Sequence, residues 1–214
     1  MEQGDHSTLY LVGTIILLVM LPVVALGAVI PIAMLPFFRG DCSATGVCYT
    51  GGGGGENIDD TGYFGTGYIF DVDAATASDL EKKLKGTGLE GLGNDIIAAA
   101  QKYHLNPAYI AAHAALESGW GTSQIAKDKK NLFGWGAKDS CPYECAKTFS
   151  SYKDCIMTVM GHVKKDYLTP GGTYYEGETL EAMNTHYASD KDWAQKIKNI
   201  MVDFYKAMGK EPNF

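Results

Sequence analysis

The sequence predicts a mainly α-helical domain with a small β excursion, preceded by one N-terminal transmembrane helix. Three observations carry this. No charged side chain occurs between Thr8 and Phe38. Helix start and stop residues recur from Ser78 to the C-terminus, and only Lys138–Thr148 interrupts them. No internal repeat is present.

The first run is longer than the roughly 20 apolar residues that cross a bilayer. A cleaved signal peptide fits poorly, because the tip carries Glu2 and Asp5 where a basic region is needed. Pro22, Pro31 and Pro36 kink or end the helix, and a re-entrant hairpin around them is the alternative. The chain therefore divides into an anchor over 1–40, a glycine-rich linker over 41–77 and a domain over 78–214. Within the linker, "TGGGGGEN" has the composition of a tether. The following "TGYFGTGYIFDVDAATAS" is rich in glycine and aromatic residues and either docks on the domain or stays loose.

The domain opens at "SDLE", a capping box of Ser78 and Glu81. Asn94 caps "DIIAAAQKYH". Asn106 caps "PAYIAAHAALES", with Pro107 at the first helical position and Gly119 closing it. Ser123 caps "QIAKD", and the run Lys127, Asp128, Lys129, Lys130 reads as a solvated loop. Ser150 or Ser151 opens "YKDCIMTVMGHVKKDYL", which Pro170 and two glycines stop. "ETLEAMNTHY" and "KDWAQKIKNIMVDFYKAM" follow, with Gly209 after the last. Lys138–Thr148 is a short hairpin or loop.

Composition limits the partners. The 214 residues carry a formal net charge of −7, with a pI of about 5.2. Nucleic acid is not expected as a partner, since phosphate neutralisation needs clustered Lys and Arg. Any anionic polymer has to be gripped by shape and hydrogen bonds. Cys42 and Cys48 flank "SATGV", Cys141 and Cys145 flank "PYE", and Cys155 is left over in a helix. Two short-loop disulfides and one buried thiol fit an oxidising compartment, whereas five reduced thiols fit a cytosolic one. A zinc site from Cys141, Cys145, Cys155 and His162 has loose spacings. His104, His162 and His186 show no metal spacing with acids, so no metal and no cofactor is expected.

Glu117 is the acid whose surroundings are unusual. It lies in the last turn of its helix, where the partial negative charge disfavours a carboxylate. Trp120, Phe133 and Trp135 follow closely. Desolvation by such rings raises a carboxyl pKa, which suits a proton donor at neutral pH. The competing reading is a solvated glutamate near a helix end. His113 lies four residues before Glu117, on the same face. Gly119 and Gly121 around Trp120, and Gly134 and Gly136 around Trp135, allow close approach of a ligand. Rings separated by glycine suit a flat sugar, although each ring singly also suits a core.

"ALESGWGTSQIA", "NLFGWG" and "HYASDKDWAQKI" together resemble the successive signatures of bacterial cell-wall glucosaminidases, glycoside hydrolase family 73. The resemblance covers roughly Asp95 to Lys206. It implies a lysozyme-like two-lobed α+β domain with a groove, and hydrolysis of the β-1,4 bond between N-acetylglucosamine and N-acetylmuramic acid in peptidoglycan. By position it implies Glu117 as general acid, with Phe133, Gly134 and Tyr187 against the substrate; the glycine-flanked rings of Trp120 and Trp135 are expected to bind substrate as sugar platforms. His113 departs from the family's glutamine; its role is open, and a neighbouring imidazole could tune Glu117. The family's β-hairpin with its second carboxylate is shortened here to Ala137–Thr148. Glu144, between the two cysteines, is the preferred second acid, and Asp139 is the other available one. Without either, the substrate's N-acetyl group acts as nucleophile.

The expected protein is thus a single-pass membrane enzyme acting on peptidoglycan strands, on the wall side or in a virion. It would serve a larger secretion, conjugation or virion complex. Arg39 alone favours the opposite topology by the positive-inside rule. The rivals are a lytic transglycosylase leaving anhydro ends and an inactive wall-binding or structural component.

Overall fold

The computed structural model describes residue 65 and residues 67–214. The uncharged run at 8–38 with its expected membrane helix, the Thr50–Asn57 tether and the Cys42–Cys48 pair lie outside them. Among the described residues no helix is long and apolar enough to cross a membrane. A 3₁₀ turn at Tyr68–Phe70 precedes seven helices: α1 (Ala77–Leu84), α2 (Gly93–Tyr103), α3 (Pro107–Ser118), α4 (Gln124–Lys129), α5 (Tyr152–Tyr167), α6 (Leu180–Tyr187) and α7 (Trp193–Met208).

The core forms around α3. Its sequence is apolar on every side, and such a helix has no solvent face to present. Every residue from Pro107 to Ala115 is buried. α7 and α2 pack on it, α1 packs on both, and α5 and α6 close the outside against α2 and α7.

Asn106 shows how the local and long-range parts join. Its Oδ1 accepts from the Ala108 amide at 2.8 Å, the expected cap. Its Nδ2 donates to the Tyr68 carbonyl at 2.7 Å and to the Tyr205 hydroxyl at 2.9 Å. The Asn106 amide donates to the Ile69 carbonyl. The segment ahead of Ser78 is therefore docked from Tyr68 onward, with Ile69 fully buried.

Two expected caps are corrected. α1 is capped by Thr76 and Asp79, not by Ser78 and Glu81. The Glu81 carboxylate is engaged elsewhere, accepting the amides of Gly91 and Gly93 at the start of α2. That places α2's first turn without an Asn94 cap; Leu92 occupies the cap position and makes no side-chain bond. The caps at Ser123 and Ser151 and the closing glycines 119 and 209 are present, and Thr179 caps α6.

Lys138–Thr148 contains no strand, so among the described residues the β part of the expected fold is absent. The reason is where its peptide groups go. Lys129 Nζ donates to the carbonyls of Tyr143 and Ala146 and lies 3.4 Å from that of Glu144. Asn131 Nδ2 donates to the carbonyls of Trp135 and Lys147. Side chains, not a partner strand, satisfy much of this backbone. Lys129 is thereby part of a clamp rather than of a solvated charge run. The Cys141–Cys145 disulfide is formed, with Cα atoms 5.4 Å apart.

Candidate active site

Glu117 is presented by the end of α3. Gly119, Trp120 and Gly121 all have positive φ, at 57°, 58° and 75°. This turns the chain sharply away after Ser118, whose Oγ accepts the Gly121 amide at 2.7 Å. A Cβ on Gly121 would meet the Gly88 carbonyl carbon at 2.5 Å. The close approach allowed by this glycine is thus to another backbone segment, not to a ligand.

The Glu117 side chain is only 13% exposed, which leaves it reachable but largely dry. Trp193, first residue of α7, donates Nε1–H to Glu117 Oε1 at 2.8 Å. Trp193 is brought there by Asn184 on α6, which accepts the Ala194 amide and donates to the Asp190 carbonyl. Burial pushes the Glu117 carboxyl up to about 7, and the Trp193 bond opposes this without cancelling it. The carboxyl is thus part protonated at neutral pH.

His113 lies below it, fully buried. Burial lowers its pKa to about 3, so the imidazole is neutral. Its Nε2 is 3.8 Å from Glu117 Oε1, and the two form no ion pair at neutral pH. The rings of Phe133, Tyr187 and Trp193 stand edge-on to it, 4.9–5.2 Å between centroids. Tyr187 and Trp193 also pack together at 4.7 Å. The Tyr187 hydroxyl is raised well above its ordinary value by burial and by the Glu117 charge, so it stays protonated.

Phe133 reaches this group through a turn built by the buried Asn131, whose Oδ1 accepts the amides of Phe133 and Trp135. Gly134 takes a positive φ of 61° within it. Trp135 is half-buried and packs on the His162 ring at 4.8 Å. Trp120 is engaged with other elements: its ring stacks on Phe204 of α7 at 6.0 Å, under Lys83 Nζ.

Asp139 and Glu144 are both exposed. The loop that carries them is braced by the disulfide, by Lys129 and by the Tyr143 hydroxyl donating to Asp128 at 3.0 Å. The structure joins His113, Glu117, Phe133 and Tyr187, and leaves the two loop acids at the surface. Among the described residues no group of His, Cys, Asp and Glu is arranged to hold a metal. Cys155 is a buried free thiol that accepts the Leu132 amide, and burial pushes it up to about 12. In the structure Cys141 and Cys145 are bonded to each other, so they do not stand as thiolates beside Cys155. Sequence reasoning missed Trp193, Tyr109 and Met183. The signal for Trp193 was its place in "HYASDKDWAQKI"; the other two had none.

The arrangement is a carboxyl raised to about 7 in an aromatic pocket, and such a group can protonate a leaving oxygen. The family model Glucosaminidase, described as mannosyl-glycoprotein endo-beta-N-acetylglucosaminidase, matches residues 93–206. A putative endo-beta-N-acetylglucosaminidase of Streptococcus pneumoniae is 41% identical over 121 residues, covering 56% of this chain and 18% of that protein. A beta-N-acetylglucosaminidase of Bacillus subtilis is 32% identical over 148 residues, covering 60% of this chain and 17% of that protein. The chain thus spans under a fifth of the length of these relatives. Among solved structures, a catalytic mutant of Staphylococcus aureus autolysin E in complex with the disaccharide NAG-NAM matches with TM-score 0.50. That match has 28% identity and covers 65% of this chain and 71% of that one. The chain belongs to the glucosaminidase family, glycoside hydrolase family 73.

Proposed function

We propose that this domain hydrolyses the β-1,4 bond between N-acetylglucosamine and N-acetylmuramic acid in peptidoglycan, with Glu117 as general acid. One observation carries the reading: the reachable, largely buried Glu117 carboxyl, bonded to Trp193 and raised to about 7. Such a group gives its proton to the glycosidic oxygen as the bond breaks. The autolysin E complex with NAG-NAM supports the same sugar pair as substrate here.

Positive charge then develops at the anomeric carbon and needs a partner. Glu144 is the proposed second carboxylate, held in a braced loop. The exposure of Glu144 and Asp139 favours a second route, in which the substrate's N-acetyl group is the nucleophile. The intact Glu117 pocket speaks for an enzyme over an inactive wall-binding protein. The uncharged run 8–38 supports a membrane-anchored form. The Cys141–Cys145 bond supports an oxidising, wall-facing or virion location, where local opening of peptidoglycan would serve a larger complex.

The test is release of reducing ends from purified peptidoglycan by the full chain. Glu117→Gln should lower the rate about 100- to 10,000-fold. A variant retaining near-normal turnover overturns the assignment.

A further inference from the structure

Both ring nitrogens of His113 meet a phenol. The Tyr109 hydroxyl lies 3.1 Å from Nδ1, and the Tyr187 hydroxyl lies 2.7 Å from Nε2. Glu117 Oε1, at 3.8 Å from Nε2, is beyond hydrogen-bonding distance. A neutral imidazole has one N–H for its two nitrogens. Tyr109 selects which nitrogen carries it. Its hydroxyl donates to Met183 Sδ at 3.5 Å, and a thioether only accepts. With its single proton on the sulfur, Tyr109 Oη accepts from Nδ1–H. Nε2 is then a bare acceptor, and the Tyr187 hydroxyl donates to it.

We propose that His113 is a positioning residue: as its Nδ1–H tautomer it takes the hydrogen bond of the Tyr187 hydroxyl and so makes that phenol a hydrogen-bond acceptor toward the substrate. The inference rests on the glucosaminidase reading of the site. Tyr187 is partly exposed, and once its proton is given to Nε2 the phenol oxygen keeps its lone pairs for a further partner. Facing a sugar, that oxygen opposes the positive charge that grows at the anomeric carbon. In this arrangement His113 never gives or takes a proton during turnover. The titratable groups around it are Tyr109 and Glu117 on α3 and Tyr187 on α6, and burial raises all three. Met183, Phe133 and Trp193 complete its surroundings.

The experiment is nitrogen NMR of the full chain with labelled histidine, the His113 signals being assigned by their loss in His113→Gln. The expected spectrum shows a protonated Nδ1 and a bare Nε2 that do not titrate between about pH 5 and 8, since burial disfavours the imidazolium. Met183→Leu, nearly volume-conserving, removes the sulfur acceptor. Tyr109 is then free to donate to Nδ1, and the tautomer should switch to Nε2–H. Its kcat on peptidoglycan should fall toward that of His113→Phe, with KM little changed. His113→Phe should lose up to about 100-fold in kcat, the scale of a misplaced group in a tight site. His113→Gln, whose amide oxygen can still accept from Tyr187, should recover most of it. An Nε2–H imidazole in the wild type, a His113 that titrates in this range, or a folded His113→Phe with wild-type kcat overturns the inference. If His113→Phe does not fold, the wild-type and Met183→Leu spectra decide. A wild-type chain that leaves peptidoglycan uncut overturns the glucosaminidase reading and this inference together; a chain that cuts it with the wrong tautomer overturns this inference alone.

Discussion

The pocket around Glu117 and the loop around Glu144 each hold a carboxylic acid, and they treat it oppositely. Glu117 is surrounded by elements far apart in the chain: Trp193 and Tyr187 approach it from α7 and α6. Its environment is dry, and its proton is held to about 7. The loop is local. A disulfide closes it over a separation of four residues, Lys129 and Tyr143 brace it, and Glu144 still faces water. Rigidity and desolvation are therefore separate properties. The loop has the first without the second, and only the second turns a carboxyl into a proton donor at neutral pH.

The largest expected effect is at Glu117. Removing its proton by substitution should cost the 100- to 10,000-fold given above, whereas conversion of either loop acid should cost less. Wild-type kcat/KM should also fall as pH rises through about 7, because the acid works only while protonated. A pH profile flat from 6 to 9 would erase the contrast between the two regions. Next in size, Glu144→Gln should slow turnover on the order of 100-fold if it supplies the second carboxylate, while Asp139→Asn stays near wild type. Equal, small effects would move the chemistry to the substrate's N-acetyl group.

Stability gives a third contrast. A carboxyl raised above its unfolded value binds more protons folded than unfolded, so its cost is absent below the unfolded value and grows as pH rises to about 7. Glu117→Gln should therefore be more stable than wild type at pH 8, by up to about 3 kcal/mol. That advantage should vanish below about pH 4.5, as thermal or denaturant unfolding would show. The smallest effect is at the disulfide. Cys141→Ser with Cys145→Ser should cost at most about 2 kcal/mol by chain entropy, because the Lys129 and Tyr143 contacts remain. A larger loss in the same unfolding measurement would mean that the bond, not those side chains, holds the loop.

What was legible in the sequence was mostly local. Asn106, Pro107 and Gly119 bound α3 through groups within one turn of each end, so its limits and the place of Glu117 could be read directly. At α1 two overlapping capping patterns existed, Thr76 with Asp79 and Ser78 with Glu81. The choice depends on Gly91 and Gly93, which occupy Glu81 from ten and twelve residues away. The loop at Lys138–Thr148 looked like a shortened hairpin. That Lys129 and Asn131 would absorb its carbonyls depends on tertiary approach. Trp193 lies 76 residues from Glu117. Neither periodicity nor capping points from one to the other, and only the fold brings them together. Trp120 shows the reverse: three residues from Glu117 in the chain, its ring is carried by the turn onto Phe204.

The role proposed for the largely buried Glu117 is to donate the proton that breaks the glucosamine–muramic acid bond. It is tested most directly by mass spectrometry of one peptidoglycan preparation digested in parallel by the full-length wild type and by Glu117→Gln. N-acetylglucosamine should stand at the new reducing ends with the wild type, and almost no cleavage should occur with the variant. Anhydro-muramic acid ends from the wild type, or the same products at comparable yield from the variant, would contradict it.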